Sequence, residues 1–110
     1  MTEQAEISAV LVALADQTRR QLLDVLVEEG TASATTLAGQ LPVSRQAVVK
    51  HLNVLTEAGL VESGRAGREV LYRVQPGRLD ASARWLAELA AAWDRRLASL
   101  KRLAEQAESQ

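Results

Sequence analysis

PVSRQAVVKHLNVLTEAGLVESGRAGREVLYR, from Pro42 to Arg73, holds the change of period that decides the fold. Ala47, Val48, Leu52 and Leu55 recur at helical spacing behind Ser44, which predicts a helix over Arg45 to Ala58 with Ser44 as its N-cap. Gly59 closes that helix, because glycine enters the left-handed conformation without steric penalty. Beyond it, Leu60 to Ser63 and Glu69 to Val74 read as two strands, with Gly64 and Gly67 bracketing the turn between them. A short capped helix running into a hairpin is the layout of a helix-turn-helix followed by a β-wing.

Upstream, Pro42 removes a backbone donor and stops a short helix that Ser33 caps and whose apolar side is Leu37, Ala38 and Leu41. Asp16 suits the N-cap of a helix running to about Glu29, with Leu22, Leu23, Leu26 and Val27 inward and Gly30 as its stop. Ile7, Val10, Leu11 and Leu14 predict a first amphipathic helix over about Glu6 to Ala15. Downstream, Gln75, Pro76 and Gly77 break the strand, and the chain is helical from Leu79 almost to its end. Leu79, Ala83, Leu86, Ala90, Trp93, Leu97, Leu100 and Ala104 alternate steps of four and three, the seam of a coiled coil. With Trp85, Leu89 and Leu103 beside it, this stripe is too wide for solvent and too long for so small a domain to cover. A second copy is the natural cover. A helix packed on its own core and an amphipath on a membrane surface are the alternatives, the latter disfavoured because Arg95, Arg96, Lys101 and Arg102 are mixed with Asp94, Glu105 and Glu108. The expected architecture is mainly α with a small hairpin, in the order α-α-α-α-β-β-α, as one domain over residues 1–110 with a dimerisation helix over 78–107.

Composition narrows the function. The chain has 110 residues, 47% of them hydrophobic, enough for one domain with a limited core. There is no cysteine and a single histidine, so no cofactor or metal site is expected and no catalytic constellation forms; an enzyme is not expected. No apolar run reaches the roughly 18 residues of a membrane span, and MTEQAEISAV is acidic and mixed rather than leader-like, which predicts a cytoplasmic protein without a membrane partner. The net charge of −1 conceals an asymmetry. Residues 1–43 carry two arginines against six carboxylates, whereas residues 44–73 carry five basic side chains against three acidic ones. Phosphate attraction acts within a Debye length of roughly 8 to 10 Å, so the local excess counts for more than the total.

Helical spacing leaves Arg45, Gln46, Val49, Lys50 and Asn53 on the outer face of the helix after Ser44. In a major groove, Gln46 and Asn53 offer the paired donor and acceptor that fit adenine N6 and N7. Arg45 suits guanine or a phosphate, Val49 a thymine methyl, and Lys50 a phosphate. The same row is also what an ordinary solvated helix face looks like, or the surface of a winged-helix module that binds protein. His51 lies beside the core row, either packed and hydrogen-bonded or reaching a phosphate. Arg65 and Arg68 mark the hairpin tip, suited to a minor groove or its flanking phosphates. Arg19 and Arg20 resemble a phosphate clamp, yet Asp16 and Asp24 stand at ion-pairing distance along the helix, the favoured reading.

LADQTRRQLLDVL at Leu14 to Leu26, the S-x-x-x-V-x-x-H-L-x-x-L pattern from Ser44 to Leu55, EAGLV at Glu57 to Val61 and GREVLYR in the wing together resemble the ArsR-type (arsenic repressor-like) winged helix-turn-helix transcription regulators. The resemblance covers most of the chain. It implies a homodimer that pairs through its first and last helices, binds double-stranded DNA at an inverted-repeat operator and represses transcription. By position it implies a DNA-facing group of Ser44, Arg45, Gln46, Val49, Lys50 and His51, with Arg65 and Arg68 in the wing; Asn53 joins them from the outer-face reading alone. It likewise implies a dimer interface of Ile7, Val10 and Leu11 with Leu86, Ala90, Trp93, Leu97 and Leu100. Cysteines at the recognition helix and histidine ligands on the last helix, which metal-sensing members carry, are missing, so the chain resembles a branch without metal. A small-molecule effector of unknown identity remains open, since the many alanines of the last helix leave room beside the first. Val49 stands where many relatives carry serine, so the operator sequence must be its own.

Overall fold

The computed structural model describes residues 2–109, and its helices begin where a side-chain oxygen can accept from a backbone amide one turn on. Thr2 Oγ1 accepts from Ala5 at 3.1 Å and starts α1, Glu3–Leu14. Asp16 Oδ1 accepts from Arg19 at 3.1 Å and starts α2, Gln17–Glu29. Ser33 and Ser44 do the same for Thr36 and Ala47, each at 3.1 Å, opening α3, Ala34–Ala38, and α4, Arg45–Glu57. Each such cap contributes about 0.5 to 2 kcal/mol. The last helix, α5, Gly77–Glu108, follows Pro76 without a side-chain cap.

Two helix boundaries differ from the sequence expectation by about a turn. α1 begins a turn earlier than Glu6, because the cap is Thr2 rather than a residue beside the first apolar position. α3 ends at Ala38, with the Gly39 amide turned back on Thr35 and Thr36, so Pro42 lies beyond its end and does not terminate it.

The core forms where α1, α2, α3 and α4 converge. Val10, Ala13, Leu22, Leu26, Leu37, Val48, Leu52 and Leu55 are fully enclosed, and Leu60 and Val61 extend the core to the root of the hairpin. β1, Val61–Ala66, pairs antiparallel with β2, Glu69–Val74, from Val61 opposite Val74 to Ala66 opposite Glu69. The link is therefore only Gly67 and Arg68, with Gly67 at φ +65°, the backbone of a type II′ hairpin turn. Gly64 lies inside β1 opposite Leu71, so the turn is tighter than the expected Gly64 to Arg68. The Ala32 and Tyr72 amides bond to each other's carbonyls at 3.1 and 2.8 Å, tying β2 to the segment before α3.

The first turns of α5 lie on α1, where Ser82 is buried and donates to the Arg78 carbonyl at 2.9 Å. Beyond that the helix leaves the domain, which gives the molecule its 75 Å long axis. Leu86, Trp93, Leu97, Leu100 and Leu103 are between 46 and 65% exposed, and Ala90 is exposed among them. α1 is apolar on two sides: Ile7, Val10 and Ala13 enter the core, while Leu11 and Val12 face solvent at 36 and 66%. No helix among the described residues is long and apolar enough to cross a membrane.

Candidate DNA-binding surface

α4 presents one row to solvent. Gln46, Lys50 and Asn53 succeed one another along its outer side, all exposed, while Val48, Leu52 and Leu55 hold the opposite side in the core. The Ser44 hydroxyl accepts from Ala47, which leaves its hydrogen free to donate outward. Arg45 is exposed but drawn sideways, its Nε donating to Thr35 Oγ1 at 3.1 Å. That anchor aims the guanidinium at the flank of the row rather than along it. Val49 is half-buried and packs against the core, so it is not a free outer position. It lines a groove of about 420 Å³ between α3, α4 and the wing, with Arg45, Arg68 and Tyr72 on other walls.

In the wing, Arg68 occupies the turn and Arg65 stands within β1 opposite Val70, so the tip carries one guanidinium and the strand behind it the other. Both are exposed. Arg73 pairs across the strands with Glu62, which removes it from the free positive charge.

Arg19 and Arg20 do structural work beyond the ion pairs expected of them with Asp16 and Asp24, of which only Arg19 with Asp16 forms among the described residues. Arg19 Nη1 lies 3.9 Å from Asp16 Oδ2, yet its Nε donates to the Ala13 carbonyl at 2.7 Å and its Nη2 to that of Val12 at 3.2 Å. Arg20 Nη1 donates to the Leu14 carbonyl at 2.5 Å. The two guanidinium groups thus cap the open C-terminal carbonyls of α1. The Arg19 amide on Asp16, reinforced by the Arg19 guanidinium, holds the Asp16 carboxyl below the usual carboxylate range. His51 is half-buried, with Nδ1 3.4 Å from Arg19 Nη1. Among the described residues no three His, Cys, Asp or Glu side chains gather closely enough to hold a metal ion.

On the expected interface, Leu86, Ala90, Trp93, Leu97 and Leu100 stand in the open on α5. Ile7 and Val10, expected with them, are buried within the chain itself, Val10 in the core cluster, because α1 packs against α5 as well as α2 and α4; Leu11 is the member of that trio with free surface. Thr35, and Arg19 as the neighbour of His51, are not legible from sequence as parts of the site, since each acts through a partner distant in sequence.

Residues 14–64 match a helix-turn-helix domain family. The transcriptional repressor SdpR of Bacillus subtilis is 31% identical over 77 residues, 70% of this chain and 84% of that protein. An ArsR-like transcriptional regulator from Rhodococcus sp. RHA1 has a solved structure that superimposes with a TM-score of 0.81 at 48% identity, over 92% of this chain and 94% of that one. The chain belongs to the ArsR family. This ArsR-type protein is a DNA-binding transcriptional regulator of the winged helix-turn-helix fold. A homodimeric winged helix-turn-helix DNA-binding domain from Mycobacterium bovis has the same fold, at 29% identity and a TM-score of 0.63 over 86% of this ArsR-type chain and 83% of its own.

Proposed function

We propose that this regulator is a cytoplasmic homodimer that binds an inverted-repeat operator and represses the promoter it covers by occluding polymerase. The carrying observation is the bare apolar stripe of α5, which a monomer leaves in water while the α4 row faces away from the core. Contiguous apolar surface of that length marks an interface. The Mycobacterium bovis domain, homodimeric with the same fold, and SdpR, a repressor, support the reading. Two-fold pairing fixes the separation of the two α4 helices, so half-sites lie about one helical turn, 34 to 36 Å, or a multiple apart. Gln46 and Asn53 read base edges, Lys50 and Arg45 hold phosphates, and Arg65 and Arg68 follow the neighbouring minor groove.

Selection of bound fragments from random and genomic DNA at two salt concentrations tests this. One palindromic motif, bound less tightly as salt rises, is the expected result. Enrichment of no motif by a folded dimer would overturn it and favour a protein-binding winged helix.

A further inference from the structure

Arg19 lies outside the α4 row, yet its guanidinium is held at every nitrogen: Nε on Ala13, Nη2 on Val12, and Nη1 between His51 Nδ1 and Asp16. A guanidinium only donates. In the Arg19 contact, His51 Nδ1 must therefore be the acceptor, which leaves the imidazole proton on Nε2. Among the described residues Nε2 has no hydrogen-bond partner, and no unpartnered polar side-chain atom is sealed from solvent. The Nε2–H donor consequently opens to solvent at the edge of α4, next to Lys50 in sequence.

We propose that Arg19 is a positioning residue for operator binding: it fixes His51 in the tautomer and orientation that offer Nε2–H to a DNA phosphate. The inference rests on the DNA-binding reading and adds to it the residue that sets which donor His51 offers. A neutral N–H meeting a phosphate oxygen makes a charge-assisted bond. A ring already held by Arg19 loses little further freedom in making it. Because Arg19 also holds the last carbonyls of α1, the donor is placed by α1 and α2 as well as by α4.

His51 is the only histidine in the chain, so tag-free protein with ¹⁵N-labelled imidazole gives one pair of ring-nitrogen resonances. The free protein should show the Nε2–H tautomer beyond the bias of an unpaired imidazole, and Arg19→Met, which removes the donor to Nδ1, should fall back to that bias. A wild-type ring with its proton on Nδ1, or evenly divided, overturns the proposal without needing any variant to fold. On the selected operator, His51→Gln, which retains a donor near the Nε2 position, should bind within about three-fold of wild type. His51→Asn, whose amide mimics the Nδ1 side, should bind about ten-fold more weakly, as for loss of a hydrogen bond to a charged group. Equal affinities for the two variants overturn the phosphate role. Lys50→Ala separates the levels: if it weakens binding while His51→Asn does not, the relay fails and the DNA reading stands. If wild type binds no DNA, the reading fails and the phosphate role with it.

Discussion

Arg78, in the first turn of α5, lies across Gly59, the residue that follows the Ala58 C-cap of α4. Gly59 has φ +78°, and a Cβ there would run into the Arg78 side chain. Arg78 Nη2 also stands 3.6 Å from Glu6 Oε1. One guanidinium thus joins the recognition helix to α1 and α5, with its positive charge at the negative end of the α4 dipole.

Gly59→Ala should cost about 1 to 2 kcal/mol from the left-handed backbone alone. Thermal unfolding would then fall by roughly 4 to 8 °C per kcal/mol. Arg78 can rotate away at the expense of its pair with Glu6, so Gly59→Ala/Arg78→Ala should recover little. Full recovery in the double variant would place the cost in the collision instead.

Leu97→Glu should produce monomers in sedimentation equilibrium. Leu97 is 63% exposed, far from the core, so the circular dichroism of the variant should match wild type. An unchanged mass would show that the α5 stripe is not the seam.

Gln46→Ala and Lys50→Ala should separate recognition from attachment. Gln46→Ala should cost about 1 to 3 kcal/mol at one base pair and relax preference there. Lys50→Ala should weaken all sequences alike and reduce the slope of log K against log salt by roughly one. Binding titrations on the operator and on single-base variants measure both; untouched base preference in Gln46→Ala would mean that α4 docks differently.

Asp16 adds a pH dependence whose sign is fixed by geometry. Its carboxyl titrates below the usual range in the folded chain because the Arg19 amide and guanidinium favour the ionised form. The stabilisation it gives is present above the unfolded carboxylate value of about 3.9 and is lost as pH falls through the lower folded value. Asn keeps the cap but not the charge. Asp16→Asn should therefore unfold at a lower temperature than wild type near neutrality, with the gap closing in acid. A gap independent of pH would show that the charge of Asp16 is idle.

The parts of this fold legible from sequence are those set by near neighbours. Ser33, Ser44 and Asp16 cap the helices expected of them, and the inner row of α4 follows the helical period, as does that of α2 except at Val27, which is 67% exposed because the core takes Leu22 and Leu26 with Leu23 and Val25 at its edge. Gly64 misled because a glycine near a turn looks like part of it; the register puts Gly64 inside β1, and of the two hairpin glycines only Gly67 takes a positive φ. Ile7 and Val10 misled for another reason. α1 is apolar on two sides, and periodicity cannot say which side meets its own core. Arg20, at ion-pairing distance from Asp24 in sequence, donates instead to the Leu14 carbonyl, an acceptor that every residue type carries and no pattern displays. The outer row of α4 was readable because it is what remains when the core positions are assigned.

The length of α5 has a mechanical meaning. Its 32 residues make a rod of about 48 Å, joined to the domain only along its first turns. A tilt of about eight degrees about Leu97, roughly 30 Å along the helix from Gly77, displaces the near end by about 4 Å. That exceeds the roughly 3.4 Å rise between base pairs. A minor rearrangement among Trp93, Leu97 and Leu100 would be enough to shift α4 by more than one base-pair step.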